Sequence, residues 1–532
     1  MFIAIVRKEL SNHLASFRFW VGALLTVGLA WSSTLVAARD YNLRLGSFRE
    51  RVASHRQELA AVSVYSYLQP VVVRPPEPLS VLDQGFDSRL GTEVAIHPFA
   101  IPAEATGGYR SNELLVSAPA ADLTTIVSVV LGLLALLLIH DAIVGERETG
   151  MLRAVFAHGV KRSTFLAAKV TGGLLTLLLP LTAGLLVSLA LFRFEVKVPL
   201  TADQWLRVGG LVAAYVAYLL LMLLLGLLIS LQFRSTSRAL GLSVLVWFVL
   251  TIVIPQAARA VASDLAPVAG ARRDAEHKVA ELTAERNRHL AAELRRDPLR
   301  TGFNGHTAIS LASGEHEAVR YRNGSASYYD SLASFYRGEV PRGARQAGQV
   351  FAIEQRYQAR LRTGERIGAA LAVVSPAFLL NLVSESFAGT SMAEHDRFLD
   401  AARRYRLTLL AYLERKGAFR SWRWFTDDPP AALHPWPGYL GLAPEEVPPD
   451  QVGRLFSRLS EPAVAARMRQ DQEAIQNRSR RLPLDDLPRF AYRGPDFPDS
   501  LRQGAAAAFA LLVFNALAAA AAWTRFRGYD LG

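Results

Sequence analysis

Three short clusters bring together side chains able to do chemistry: Glu315-His316-Glu317, Glu394-His395-Asp396 and His140-Asp141. The first two carry the donor types of a metal site. Successive positions on a helix diverge by ~100°, however, so three adjacent residues make a poor chelator without partners from elsewhere. His140-Asp141 ends a long apolar run, where ionisable groups either pair or serve a function. The simpler reading is a pair that closes the run at a headgroup boundary. Machinery for covalent or phosphoryl chemistry is missing. The sequence has no GxxxxGK(S/T) phosphate loop, no HExxH and no GxSxG, and Gly159-Val160-Lys161-Arg162-Ser163-Thr164 lacks the leading glycine and spacer that wrap amides around phosphate. It has no cysteine, which removes disulfides, thiolate metal sites and a cysteine nucleophile together. No catalytic, cofactor-binding or metal-ligating residue is therefore expected, and ATP hydrolysis is not expected of this chain.

A different pattern dominates residues 145–169, GERETGMLRAVFAHGVKRSTFLAAK. Glu146, Arg147, Glu148 and Arg153 are charged, while Met151, Leu152, Val155 and Phe156 recur at spacings of three and four. That spacing predicts a continuous amphipathic helix lying at a membrane face. Together with Gly150, these residues form a candidate docking surface, because a rigid helix with both charge and an apolar face suits a cleft on another protein. The plainer alternative is a basic loop that only orients the chain.

The elements that hold this hairpin are apolar runs. Hydrophobic residues make up 51% and charged residues 20% of the 532, too apolar for an ordinary soluble protein yet requiring sizeable aqueous parts. Six runs reach the ~20 residues that cross a ~30 Å hydrocarbon layer at ~1.5 Å per residue: 19–38, 123–144, 166–192, 208–232, 239–261 and 504–523. Pro180 and Pro255 fall inside two of them, where neighbouring helices can satisfy the freed carbonyls. Residues 1–18 read as an interfacial helix with Phe2, Ile5, Val6, Leu10, Leu14 and Phe17 on one side. A cleaved signal peptide is not expected, since the apolar core that follows is longer than such a segment carries. Residues 367–383 are too short to cross and hold Ser375-Pro376 at their centre.

Basic residues in the short loops orient the spans. Arg7, Lys8 and Arg18, then Arg147, Arg153, Lys161 and Arg162, then Arg234 and Arg238, and finally Arg525 and Arg527 all fall on one side when both termini are cytoplasmic. The hairpin 145–165 and the tail 524–532 then face the cytoplasm, and two large regions face outward. The first, 39–122, begins with a charged helical stretch that extends the first span and turns β-like and Pro-rich in VYSYLQPVVVRPPEPLSVL and GTEVAIHPFAI. The second, 262–503, is helical by pattern, with a Pro- and Trp-rich segment, SWRWFTDDPPAALHPWPGYLG, whose tryptophans suit anchoring on the bundle or at the lipid interface. The expected fold is an α-helical polytopic membrane protein of six transmembrane helices, with a small mixed α/β and a larger mainly helical periplasmic region.

The formal net charge of +12 does not imply a nucleic-acid partner. In residues 262–503, 35 Lys plus Arg meet 30 Asp plus Glu, interleaved along helices as on a solvated surface. Polar atoms within the spans are few. Asn515, Tyr215 and Tyr218 are expected to bond neighbouring helices rather than line a path, and Gly172-Gly173 to permit close packing.

These residues carry a family resemblance. An N-terminal flat helix, a span, an outer loop and a span ending in the GERETGMLR hairpin, with further spans and a final helix closing in RFRGYD, resembles the membrane subunit of a type 2 ABC exporter. In that family an acidic E-x-E/K-x-G-T/M-L-R stretch precedes a small-residue turn and a basic helix entering the next span. Here those positions are Glu146, Glu148, Gly150, Met151, Leu152 and Arg153, then Lys161, Arg162, Phe165 and Lys169. The outer segments RPPEPLSVLDQGFDSRLG and SPAFLLNLVSESFAGTSMAEHDRFLDAARRY are similar to a bacterial subgroup with large periplasmic insertions of unassigned function.

The resemblance implies an inner-membrane permease whose hairpin docks a cytoplasmic ABC ATPase dimer. ATP and Mg would be bound by that partner, and the permease would pair with a second copy of itself or a related subunit. Two functions follow from it: export of a compound, or mechanical transmission to a periplasmic or outer-membrane partner without a cargo. A hydrophilic solute route needs more polar lining than these spans offer, so lipid-like cargo or transmission is favoured over a soluble one.

Overall fold

The computed structural model describes residues 1–87, 89–107, 122–265, 268–296, 326–424, 436–442, 451–476 and 481–529. It is 79% helical. Six of the described helices are long and apolar enough to cross a membrane: α2 (Phe17–Ala61), α3 (Leu123–Glu148), α5 (Arg162–Val196), α6 (Ala202–Gln232), α7 (Thr236–Leu265) and α14 (Phe497–Arg527). Between and beside them lie α1 (Phe2–Leu14), α4 (Met151–Ala157), α8 (Val268–Arg296), α9 (Ala326–Ala372), α10 (Pro376–Ala388), α11 (Met392–Arg415), α12 (Val452–Ser457) and α13 (Pro462–Gln476). A two-stranded antiparallel sheet pairs β1 (Val71–Val73) with β2 (Glu93–Ala95), Val72 facing Val94.

The joint between α1 and α2 is built by Ser16. Its Oγ accepts from the Phe19 amide (3.3 Å) and donates to the His13 carbonyl (2.7 Å), so it caps the new helix while holding the end of the old one. Phe17 therefore opens α2 and is exposed, off the apolar face expected for residues 1–18. The face α1 turns to the protein is mixed: Glu9 and His13 are buried, and half-buried Ile5 and Leu14 pack on the core of the spans. Gly172 of α5 makes room for it: a Cβ there would stand 2.7 Å from Glu9 Cβ.

α2 continues for 45 residues without a break, roughly 67 Å at ~1.5 Å per residue, about twice the hydrocarbon thickness. Its apolar first half packs on α5, where Thr34 Oγ1 and Ser188 Oγ are 2.8 Å apart; its charged second half begins against the end of α5, where Tyr41 meets Phe192 and Val196 and Asn42 Nδ2 donates to the Glu195 carbonyl (3.0 Å). In α7 a π-helical turn at Val249–Val253 immediately precedes Pro255, absorbing the backbone disruption that proline imposes.

The region 262–503 is not a single unit apart from the spans. α10 lies between α6 and α14, with Leu379, Leu380, Val383 and Phe387 in the same core as the span residues Leu211, Tyr215 and Leu511. Gly210 admits Phe387, whose ring would collide with any Cβ there. The run around Pro376 is too short to cross a membrane but long enough to pack against helices that do. The two outer regions also share a second core: Leu68, Val72 and Ile96 meet Phe398, Leu409 and Trp424. Arg406 ties them further by donating to the His97 carbonyl (3.0 Å).

Candidate docking hairpin

From Val144 to Ala157 the chain forms two short helices rather than the continuous one expected. α3 breaks at His140, restarts over Val144–Glu148, and is separated from α4 by Thr149 and Gly150. Gly150 has φ +71° with open space around its Cα, a conformation glycine adopts without strain and other residues resist. The restart is capped from a neighbouring span: the amides of Ile143 and Val144 donate to Ser230 Oγ of α6 at 3.1 and 3.2 Å.

The expected docking residues divide between two faces. Glu146 turns inward to Lys169 (2.7 Å), with Lys8 at 3.4 Å. Arg147 donates to Tyr529 Oη (3.1 Å) and lies over its ring. Glu148 accepts from the amide and hydroxyl of Thr236 at the start of α7 (3.1 and 2.5 Å), where a carboxylate also complements the helix dipole. Leu152 is buried, and half-buried Val155 and Phe156 pack on the core, Phe156 against Phe165 and Phe526. The outward face holds Gly150, Met151 and Arg153, continued by Ala154, Ala157 and His158. The hairpin thus rests on α1, α5, α6, α7 and α14 while a mixed apolar and basic strip stays exposed.

Lys169, Glu9, Thr236, Ser230 and Tyr529 are partners that helical periodicity did not single out as a site. Their signal is a charged or hydroxyl residue at the end of an apolar run, which is legible only once the runs are paired.

The polar residues of the spans are tied to helices. Tyr215 Oη is 2.9 Å from Thr124 Oγ1, Tyr218 Oη donates to the Ser128 carbonyl (2.8 Å), and Asn515 Nδ2 donates to the Ala217 carbonyl (3.0 Å). His140 is buried and its Nδ1–H donates to the Leu137 carbonyl (2.9 Å). Asp141 is half-buried, and no hydrogen bond joins the two, so they end the helix side by side rather than as a bonded pair.

Nothing resembling a metal centre forms among the described residues. Glu394 faces Arg397 (3.2 Å) and Gln503 (3.0 Å), and Asp396 faces Arg362 (2.7 Å). His395 is buried, which with nearby Arg74 pushes its imidazole down to about 4. Glu315-His316-Glu317 lies outside the described residues, as does much of the Pro- and Trp-rich segment. Of its tryptophans, Trp424 is buried against Phe99 and Phe419 in the outer core.

At the opposite end of the bundle from the hairpin, buried charges bind the outer body to the spans. Arg207 of α6 reaches the Phe387 carbonyl (2.8 Å), the Pro495 carbonyl (3.3 Å) and Glu77 (3.2 Å). Arg44 of α2 holds Asp87, Asp40 and Ser80. Asp83 and Asp122 are hydrogen-bonded to each other; burial and the neighbouring carboxylate hold the Asp83 carboxyl well above its ordinary range.

Comparison with known proteins agrees with this architecture. Residues 3–294 match the family described as ABC-2 family transporter protein, more than half of the chain. Residues 340–493 match a domain of unknown function, DUF3526. No curated protein matches the chain. A match of that extent, over α1, five of the six spanning helices and the hairpin between α3 and α5, identifies this multi-pass membrane protein as a member of the ABC-2 transporter family, a permease of the type 2 class.

Proposed function

We propose that the chain is the permease half of an ATP-driven complex in the bacterial inner membrane. Both termini, the hairpin and the α14 tail face the cytoplasm, and the outer body of 39–122 with 262–503, apart from α10 and the turn before it, faces the periplasm. A separate ABC ATPase, bound to ATP and Mg, docks as a dimer on the strip around Met151 and Arg153, and its closure pushes the hairpin. The permease pairs with a second copy or a related subunit and extrudes a lipid-like compound.

The observation that carries this reading is the two-sided hairpin. One face is committed to five helices of the same chain, and the other offers exposed Met151 beside Arg153. A surface so backed passes lateral force into the spans instead of folding away. No nucleotide site is assigned to this chain.

The second reading, mechanical transmission without cargo, is favoured by α2. That helix runs unbroken from the bundle to the outer core, where Leu59 packs, while Tyr215, Tyr218 and Asn515 are spent on ties between helices. Affinity purification in mild detergent tests the shared premise. A stoichiometric soluble subunit with a phosphate loop is the expected result; the chain eluting alone would sink both readings. Reconstitution in vesicles then separates them, since extrusion predicts ATP-dependent movement of labelled lipid and transmission predicts none.

A further inference from the structure

Lys169 is 2% exposed although it lies at the hairpin end of α5, where a lysine stem can normally carry its charge out to water. Its ammonium instead points into the protein. It lies 2.8 Å from Glu9 of α1 and 2.7 Å from Glu146 of the hairpin. Both carboxylates are largely shielded, with 6% and 13% of their side chains exposed. Lys8 at the rim supplies a second positive charge to Glu146 (3.4 Å), and His13 stands 3.8 Å from Glu9. One turn along α5, Gly172 lets α1 approach so closely that Glu9 can reach the ammonium.

Burying charge costs stability unless the pairing is good, and an apolar residue at this site would pack α1 at less cost. Apolar attraction is itself non-directional and scales with the area covered, so it singles out no one pair of groups. An ammonium held by two carboxylates in a poorly solvated pocket resists displacement along every axis, because the attraction strengthens as water is excluded. Glu146 sits on the element that the proposed ATPase pushes, and Glu9 on α1, which packs against α5. Beyond Glu9 the chain turns at Ser16 into α2, which reaches the outer body through Arg44 with Asp87 and Arg51 with Glu93.

We infer that Lys169 is a positioning residue that locks the hairpin to α1, so that the two move as one body and drive α2. The inference rests on the hairpin being the surface that the ATPase displaces. It gives the ionic triad a role that helix packing alone would not require.

The chain has no cysteine, so spin labels go only where they are introduced. One pair, Ala154→Cys with Leu501→Cys, reports the hairpin against the far end of α14. A second, Asn12→Cys with Leu501→Cys, reports α1; all three positions are exposed. Distances are measured by pulsed electron resonance on the complex with its co-purified ATPase in lipid nanodiscs, with and without Mg-ATP. Both pairs shift in the native background. In the neutral triple variant Glu9→Gln, Glu146→Gln, Lys169→Met, which leaves no unpaired buried charge, the hairpin pair still shifts and the α1 pair does not. Lys169→Arg alone, which keeps the positive charge between the two carboxylates, retains the α1 shift. An α1 shift that survives in the triple variant, or an α1 that stays still in the native chain while the hairpin moves, overturns the assignment. A hairpin that does not move in the native complex overturns the docking reading itself, and the inference with it.

Discussion

Ser375 Oγ donates to the Leu250 carbonyl over 2.5 Å, and Leu250 lies midway along α7, a helix of 30 residues. The turn between α9 and α10 therefore lies level with the middle of α7. α9 comes down beside the far end of α7, where Gly368 meets Ala262, and α10 returns between α6 and α14. Its open tip is apolar: Leu371 is 45% and Val374 58% exposed. A nitroxide at Val374→Cys is expected to collide with oxygen and to be shielded from a water-soluble nickel chelate. Strong collision with the chelate would place the tip in water and contradict the insertion.

The buried acid pair at the far end makes stability depend on pH. Asp83 has a folded value raised above its ordinary 3.8, so the folded state holds a proton that the unfolded state has already released. That contribution is complete below 3.8 and is lost as pH rises through the raised value. Asp83→Asn keeps an amide to donate to Asp122 and an oxygen to accept from Thr124, whose hydroxyl lies 3.0 Å away, without titrating. Thermal unfolding in detergent should show the native protein weakening as pH rises from acid to neutral, with a flatter dependence in Asp83→Asn. An equal slope in both would remove the pair from the account.

Tyr218→Phe and Asn515→Ala are expected to lower stability by ~1 kcal/mol each through lost hydrogen bonds between helices, while leaving ATP-driven activity of the complex unchanged. A loss of activity without a loss of stability would put these side chains on a substrate path instead.

Two adjacent hairpin residues should behave oppositely. Leu152 is 1% exposed and Met151 46%. Leu152→Ala removes core packing and should cost ~2–5 kcal/mol of stability. Met151→Asp should leave thermal stability near that of the native chain and weaken retention of the ATPase in pull-downs. Unchanged retention in Met151→Asp would move the docking face elsewhere.

The spans were legible because length and hydropathy are local properties: a run such as that ending at His140 declares itself without knowing its neighbours. The charged helices α8, α9 and α11 were legible for the same reason, through periodicity. The break at Gly150 was not, since Met151, Leu152, Val155 and Phe156 all lie beyond it, and the positive φ that interrupts the helix is a backbone property their spacing does not carry. The seat of α10 was equally hidden. Residues 376–388 look like a buried outer helix until Gly210 and Gly504 place them against α6 and α14. Lys169 reads in isolation as a basic residue that marks the cytoplasmic side. Its burial between Glu9 and Glu146 depends on partners 160 and 23 positions away, which no local pattern encodes.

On the proposed function, the exposed face of the hairpin carries the ATPase. A photo-crosslinking amino acid at Met151, in cells expressing the tagged chain, tests it most directly. The expected result is a single protein adduct whose partner carries a phosphate loop, lost when the same group is moved to exposed Leu501 at the far end of α14. Adducts to lipid alone, or to a protein without a nucleotide site, would contradict it.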